Sequence, residues 1–272
     1  MKVVVAVPAR LESSRFPGKV LADIAGKPML QHVLERCGSA STPDAVVLCT
    51  DSDELRLRAE DWGFDVLMTS PDCKSGSERI ASVVDQLVSL GGGVLDDTLV
   101  INVQGDQPFI DPMVVDRMAE EFFARSPKSE VMTPVYRMAP ERIHDPDVVK
   151  TLLSQDGRAL YFSRSAIPHV RGVPLEQWYF HAPYWGHVGI YGYHARVLSG
   201  WSGLPDSPLE NIEMLEQLRL IEAGIKIDTF HVENESLSVD TEAHLDIARR
   251  LASEPCGDSL AGEQGRNDIV DA

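Results

Sequence analysis

Short apolar, β-branched runs alternate with segments of helical spacing along most of this chain, and that alternation constrains the fold more than any other feature. Residues 3–7 read as a first strand that stops at Pro8. Residues 29–37 have helical spacing, and Pro28 suits a first helical turn. A strand over 45–50, a charged helix from about 53 to 62 and a short strand over 66–69 follow. Residues 77–90 are amphipathic, with Ile80, Val83, Val84, Leu87 and Val88 along one face. A connector, Gly91-Gly92-Gly93, leads to an apolar run over 98–103, the pattern of a central parallel strand covered on both faces. A helix is expected over 112–125. This order specifies an α/β sheet. After Val131 the pattern loosens: strands are predicted over 148–153, 159–163, 188–193 and 227–232, and helices over 209–222 and 241–251. The expectation is a three-layer α/β/α domain over residues 1–252, with a mainly parallel central sheet and a smaller mixed β region. Residues 253–272 lack periodicity and are expected to form a disordered tail.

Charge narrows the function. With 25 Lys and Arg against 42 Asp and Glu, the net charge is −17. A nucleic-acid binder needs a basic face, so that class is excluded. A small polyanion can still bind where a few cations converge. No stretch approaches the roughly 20 apolar residues of a membrane span, so no membrane insertion is expected. The opening residues read as a strand, not a signal peptide. The four cysteines show no C-x-x-C spacing, which points to reduced thiols in the cytoplasm and no zinc site.

Ligands of open α/β sheets bind beyond the carboxyl ends of the strands. There the first strand runs into Pro8-Ala9-Arg10 and then Arg15-Phe16-Pro17-Gly18-Lys19. Arg10, Arg15 and Lys19, among Ser13, Ser14 and Gly18, suit a triphosphate, since the cations neutralise charge and free backbone N–H groups donate to oxygens. A solvated basic loop fits the same spacing, and the G-x-x-x-x-G-K-[ST] phosphate loop is absent. Two carboxylates stand out: Asp106, just beyond the 98–103 strand, and Asp240, ahead of the last helix. Asp240 reads equally well as a helix cap. Asp51-Ser52-Asp53 is either a D-x-D metal motif or a capped helix start.

Pro8-Ala9-Arg10, Ser14-Arg15-Phe16-Pro17-Gly18-Lys19, Gly26-Lys27-Pro28-Met29, Thr50-Asp51, Ser75-Gly76-Ser77-Glu78-Arg79 and Asn102-Val103-Gln104-Gly105-Asp106 form an ordered set. It continues through Ala159-Leu160-Tyr161-Phe162-Ser163-Arg164, His187-Val188-Gly189-Ile190-Tyr191, Ser207-Pro208-Leu209-Glu210, Leu215-Glu216-Gln217-Leu218-Arg219 and Val239-Asp240-Thr241. Over about residues 1 to 250 this set resembles the CMP-KDO synthetases, the 3-deoxy-manno-octulosonate (KDO) cytidylyltransferases. The resemblance implies a Rossmann-like nucleotidyltransferase fold of the nucleotide-diphospho-sugar transferase kind. It implies transfer of CMP from CTP to KDO, with release of pyrophosphate, for lipopolysaccharide biosynthesis. Lys19, Asp106 and Asp240 would be catalytic, with Mg²⁺ held by Asp106 and Asp240 against the α-phosphate. The nucleotide would lie on Pro8, Ala9, Arg10, Ser14, Arg15, Lys19, Thr50, Asp51, Ser75, Gly76 and Arg79. The sugar acid would meet Gln104, Arg164, His187, Tyr191, Glu216 and Gln217. A homodimer is implied, with residues 140–200 contributing.

Taken singly, several of these residues have plainer readings. Glu216 and Gln217 fit the solvated face of a helix, and Tyr191 fits cross-strand packing. The sequence also departs from the family pattern. It has Asp106-Gln107-Pro108 where many members have Asp-Glu-Pro, a form that resembles relatives acting on an 8-amino sugar acid. Ile167-Pro168-His169 lacks the aromatic that often follows the proline. Ser207-Pro208-Leu209-Glu210 and Leu215-Glu216-Gln217 resemble the ordinary KDO branch, which is favoured. The rival readings are a glycosyltransferase using Asp51-Ser52-Asp53 and a non-catalytic nucleotide-sugar sensor.

Overall fold

The structure is a computed structural model that describes residues 1–12, 16–125 and 128–253. Its centre is the apolar β1 (Lys2–Ala9), which is buried from Val3 to Ala9. Two short strands, β2 (Asp23–Ile24) and β3 (Lys27–Pro28), form a small hairpin that leads into α1 (Met29–Gly38). β1 pairs in parallel with β4 (Ala45–Thr50), and β4 pairs in parallel with β5 (Asp65–Met68) beyond α2 (Asp53–Asp61). On its other side β1 pairs in parallel with β6 (Thr98–Asn102), reached through α3 (Gly76–Ala81) and α4 (Val84–Leu90). Strand side chains alternate between faces. Val3, Val5 and Val7 therefore pack in the cluster containing α1 and α5 (Pro112–Ala124), while Val4 and Ala6 pack in the one containing α3 and α4. These are the three expected layers.

Past β6 the sheet turns mixed. β7 (Val131–Arg137) runs parallel to β12 (Ile227–Val232). Its other side faces β10 (Trp185–His187) and β11 (Tyr191–His194), both antiparallel to it. β11 also pairs with β6, and so joins the mixed region to the parallel one in a single ten-stranded sheet. β8 (Lys150–Leu153) and β9 (Ala159–Ser163) extend from β10 as a hairpin. The helices α6 (Ala195–Ser199), α7 (Pro208–Glu213), α8 (Leu218–Glu222) and α9 (Glu242–Ser253) complete the fold.

Three expected elements are broken. The helix over 77–90 stops at Ala81, and Val83 leaves the helical region at φ −124 before α4 begins. Ser82 Oγ donates to the Arg79 carbonyl at 2.7 Å, a local bond of the kind that competes with a helix. All five expected apolar residues are still buried. The helix over 209–222 splits at Met214, which takes the left-handed conformation at φ 55. The strand over 188–193 is interrupted at Val188-Gly189-Ile190. Thr133 Oγ1 bridges that bulge by donating to the carbonyls of Val188 (3.1 Å) and Ile190 (2.8 Å). β7 and α6 go unannounced in the sequence. Pro134 inside β7 weakens any strand reading of that segment. The expected tail lies, apart from Ser253, outside the described residues.

Candidate active site

The carboxyl ends of β1 and β6 open on one rim of the sheet. From β1 come Pro8, Ala9 and Arg10; beyond β6 come Gln104, Gly105 and Asp106. The start of α3 closes this rim, with Ser75 capping it by accepting from the Glu78 amide at 3.2 Å. Gly76 is pressed between Pro8 and Gln104: a β-carbon there would stand 3.1 Å from the Pro8 ring and 3.2 Å from the Gln104 Oε1. A cleft of about 270 Å³ results, lined by Pro8, Ala9, Arg10, Lys19, Ser75, Gly76 and Arg79 on one side and Gln104, Asp106 and Asp240 on the other.

A second cleft, about 780 Å³, adjoins it and shares Gln104, Asp106 and Asp240. Arg164, His187, Tyr191, Glu216 and Gln217 line it, so all six residues expected on the sugar side share one cleft. Glu216 and Gln217 lie in the break between α7 and α8 that opens at Met214. Gln217 is 3% exposed, and burial raises the Glu216 pKa against the hydrogen bonds from Ser75 and Ser77. A 2.6 Å hydrogen bond joins Tyr191 Oη to His187 Nε2. Burial lowers the His187 pKa to about 3 and holds the Tyr191 phenol well above its usual range. Arg164 is fixed by its own donors: its amide to Glu213 Oε2 (3.0 Å), its Nε to the Glu213 carbonyl (2.9 Å) and its Nη1 to the Pro146 carbonyl (3.2 Å).

Between the clefts Lys19 Nζ donates to Asp106 Oδ2 at 2.7 Å and to Asp240 Oδ1 at 3.0 Å. Burial works to lower the Lys19 pKa, but the two carboxylates outweigh it and hold it above its ordinary value. Asp240 is not the cap of α9. Thr241 Oγ1 accepts from the His244 amide at 3.2 Å, while the Asp240 carboxylate accepts from Lys19 and, at Oδ2, from Ser238 Oγ at 3.4 Å. The Val239 amide donates to the Asp106 carbonyl at 2.9 Å and ties the two loops together.

The model of the cytidylyltransferase family matches residues 4–227. The chain belongs to that family. The 3-deoxy-manno-octulosonate cytidylyltransferase of Myxococcus xanthus is 42% identical over 92% of this chain and 96% of its own length. The 8-amino-3,8-dideoxy-manno-octulosonate cytidylyltransferase of Shewanella frigidimarina is likewise 42% identical, over 89% and 94%. The solved structure of CMP:2-keto-3-deoxy-manno-octonic acid synthetase complexed with CTP is 39% identical, covers 92% of this chain and 98% of its own, and superposes with a TM-score of 0.83.

Not every expected residue of this cytidylyltransferase faces a cleft. Ser14 and Arg15 lie outside the described residues. Thr50 is fully buried at the end of β4, where its Oγ1 accepts from the Ser52 amide. Asp51 pairs with Arg79 Nη2 at 2.9 Å; Arg79, 3% exposed, also donates to Thr69 Oγ1. Neither Thr50 nor Asp51 lines the two clefts; they stand behind Arg79. The D-x-D reading does not survive: Ser52 caps α2 through the Leu55 amide, and Asp53 faces solvent beside Arg56. Sequence reasoning missed Lys74 at the smaller cleft and Arg142 at the wider one. Lys74 immediately precedes the Ser75-Gly76 motif; Arg142, at the end of a single 3-10 turn over Pro140–Arg142, carries no signal.

Asp106 and Asp240 suit a divalent cation. Both oxygens lie within 3.0 Å of one ammonium nitrogen, so they can approach one ion. Among the described residues no group of three or more His, Cys, Asp or Glu could hold a metal. Two carboxylates completed by ligand phosphates and water are the donor set of Mg²⁺, not of a structural zinc.

Proposed function

We propose that this cytidylyltransferase joins CTP to 3-deoxy-manno-octulosonate, giving CMP-KDO and pyrophosphate for lipopolysaccharide biosynthesis, and that it works with Mg²⁺ on Asp106 and Asp240. One observation carries the reading: a cation-lined cleft and a wider polar cleft meet at two carboxylates. When bound there, Mg²⁺ would offset phosphate charge and favour the ionised form of an attacking hydroxyl. The rest belongs to the chain. Arg10 and Lys19 counter the triphosphate and the charge that builds on the departing pyrophosphate. Lys19, which lines the smaller cleft while bound to Asp106 and Asp240, is placed to exchange a carboxylate for a phosphate oxygen. Arg164 meets the sugar carboxylate. Gln104, held by its Nε2 donating to Asn102 Oδ1 at 3.0 Å, contacts both ligands from the shared wall. His187, kept neutral, and Tyr191 offer hydroxyl-binding groups. Bringing two anions together in line is the main task, since nucleotidyl transfer depends on positioning and charge compensation.

Pyrophosphate release with CTP, Mg²⁺ and KDO tests this directly. Asp106→Asn and Asp240→Asn are each expected to lower turnover by about 10²–10³-fold with the fold intact by circular dichroism. Near-parental turnover in both variants contradicts the metal assignment. A second reading, the 8-amino sugar acid, has support in Gln107 and in the Shewanella relative; competition between the two sugars decides it. We further take the enzyme to be a cytoplasmic homodimer. Leu160, Leu175 and Phe180 (the last 80% exposed) offer apolar surface within 140–200. Cys37 and Cys49 are buried thiols, their pKa pushed up to about 12 by burial, in keeping with reduced cysteine. No helix among the described residues is long and apolar enough to cross a membrane.

A further inference from the structure

Lys150 is a fully buried lysine at the start of β8. Burying an ammonium is costly unless each of its donors finds a partner. Here all three do, and all three partners are main-chain carbonyls: Asp145 at 2.7 Å, Val148 at 2.7 Å, and Arg164. The first two belong to the loop ahead of β8; the third immediately follows β9. Both segments line the wider cleft, through Asp145, Asp147, Val148 and Arg164. The register adds to this. Lys150 lies opposite Ser163 on one side and Gly186 on the other. The residues that follow these two are Arg164 and His187. The His187 amide donates to the Val149 carbonyl at 3.0 Å.

The Arg164 guanidinium depends on the same pieces. Its Nη1 rests on the Pro146 carbonyl, inside the loop that Lys150 gathers, and its Nε rests on the Glu213 carbonyl. Glu213 in turn accepts from Ser163 Oγ at 2.6 Å and from the Arg164 amide. Without the ammonium, three carbonyls would face one another at the cleft wall, and the loop carrying Pro146 would move away from Arg164.

We propose that Lys150 is a positioning residue for the sugar-acid substrate: it clips the loop over 145–148 to the residue after β9 and so sets the Arg164 guanidinium for the substrate carboxylate. The proposal rests on the reading of that cleft as the sugar-acid site. Lys150 is wholly enclosed and acts only through Arg164. Misplacing a binding group by about 1 Å can cost of the order of 10²-fold, and the loss should fall on the sugar acid alone. The clip is also sensitive to protonation. A neutral amine has two donors and a lone pair to set against three carbonyls. Burial lowers the Lys150 pKa to about 8, with Asp145 raising it, Arg164 lowering it and Glu213 raising it. These three, from the loop before β8, the residue after β9 and the end of α7, are the charged groups that face it.

The experiment is pyrophosphate release by the full chain, with KDO varied at saturating CTP and then CTP varied at saturating KDO. Lys150→Met at pH 7 should raise the KM for KDO about tenfold or more, leaving the KM for CTP within about twofold. The unaltered chain, followed from pH 7 to 9.5, should show its KM for KDO climbing above about pH 8, while the Lys150→Met profile stays flat. Equal movement of both KM values, or movement of neither, overturns the proposal. If Lys150→Met does not fold, the pH profile of the unaltered chain decides, and a KM for KDO that is level through pH 8 overturns it. A chain that releases no pyrophosphate with KDO overturns the substrate reading and this proposal with it. A chain that turns over normally but lacks the pH response overturns the clip alone.

Discussion

Replacing Lys19 with Met separates the two tasks assigned to that side chain. Lys19 is 14% exposed and stands 2.7 Å from Asp106 and 3.0 Å from Asp240. At an effective dielectric of about 20, opposite unit charges about 3 Å apart attract by about 5 kcal/mol. Desolvation of Lys19 cancels much of this, and Asp240, 43% exposed, is screened by water. A net stabilisation of about 1–3 kcal/mol remains for the cluster. Lys19→Met removes it and leaves two carboxylates facing each other, which should lower the melting temperature by about 2–4 °C for each kcal/mol lost. The Mg²⁺ proposed for this site would compensate the same carboxylates, so millimolar Mg²⁺ should raise the melting temperature of the variant more than that of the unaltered chain. Turnover should not recover, because the cation proposed to counter the triphosphate is gone; a loss of about 10²–10³-fold is expected. Scanning fluorimetry with and without Mg²⁺, alongside pyrophosphate release, reads both. Turnover within about fivefold of the unaltered chain, or identical Mg²⁺ shifts for the two proteins, would refute the reasoning.

Two further outcomes follow from groups around the site. Arg79→Met leaves Asp51 charged and partly buried without its partner, a change that typically costs about 3–5 kcal/mol; urea unfolding should show a lower midpoint at unchanged slope, and the KM for CTP should rise while that for KDO holds. His187 has a folded pKa of about 3 against an ordinary value of 6.5. Its neutral form thus contributes stability that is complete above pH 6.5 and is lost as pH falls toward 3, at up to about 1.4 kcal/mol per pH unit. His187→Asn should flatten the fall in melting temperature between pH 6.5 and 4.5, and an unchanged acid limb counts against a buried neutral imidazole.

Sequence and structure agree where local pattern and tertiary demand coincide. β1 and β6 are covered on both faces, so their apolar runs announce them. The amphipathic face of 77–90 was legible down to each buried apolar residue, though the burial of Ser77 and Arg79 and the break at Ser82 were not: a serine has many ways to bond locally, and only the packed structure selects one. The rim that carries the smaller cleft was legible because three adjacent parallel strands end together and their following residues are small, cationic or acidic. Thr50 and Asp51 were legible as members of the constellation, but their place behind Arg79 was not. That depends on a long side chain from α3 crossing to β4, a contact spanning 28 positions.

The sugar side shows why the remainder stayed hidden. Residues 209–222 carry helix-forming composition throughout, and nothing local demands an end at Met214. A methionine in the left-handed region is unfavourable on its own account; Met214 is 75% exposed, so the burial of its neighbours Leu215 and Leu218 must impose it. What the break achieves is visible: Leu215, Gln217 and Leu218 go into the interior, and Glu216 comes within reach of the Ser77 amide at 3.4 Å. The bulge at Val188-Gly189-Ile190 has the same character, since the hydroxyl that spans it comes from Thr133, 55 and 57 residues away in the chain. Strain and irregularity collect where side chains must be aimed at a cleft and not merely packed. The two places where regular structure fails most plainly, Met214 and the 188–190 bulge, are therefore the two that deliver Glu216, Gln217, His187 and Tyr191 to one wall. Both irregularities border the wider cleft, whereas the rim at the ends of β1 and β6 is built from regular strands.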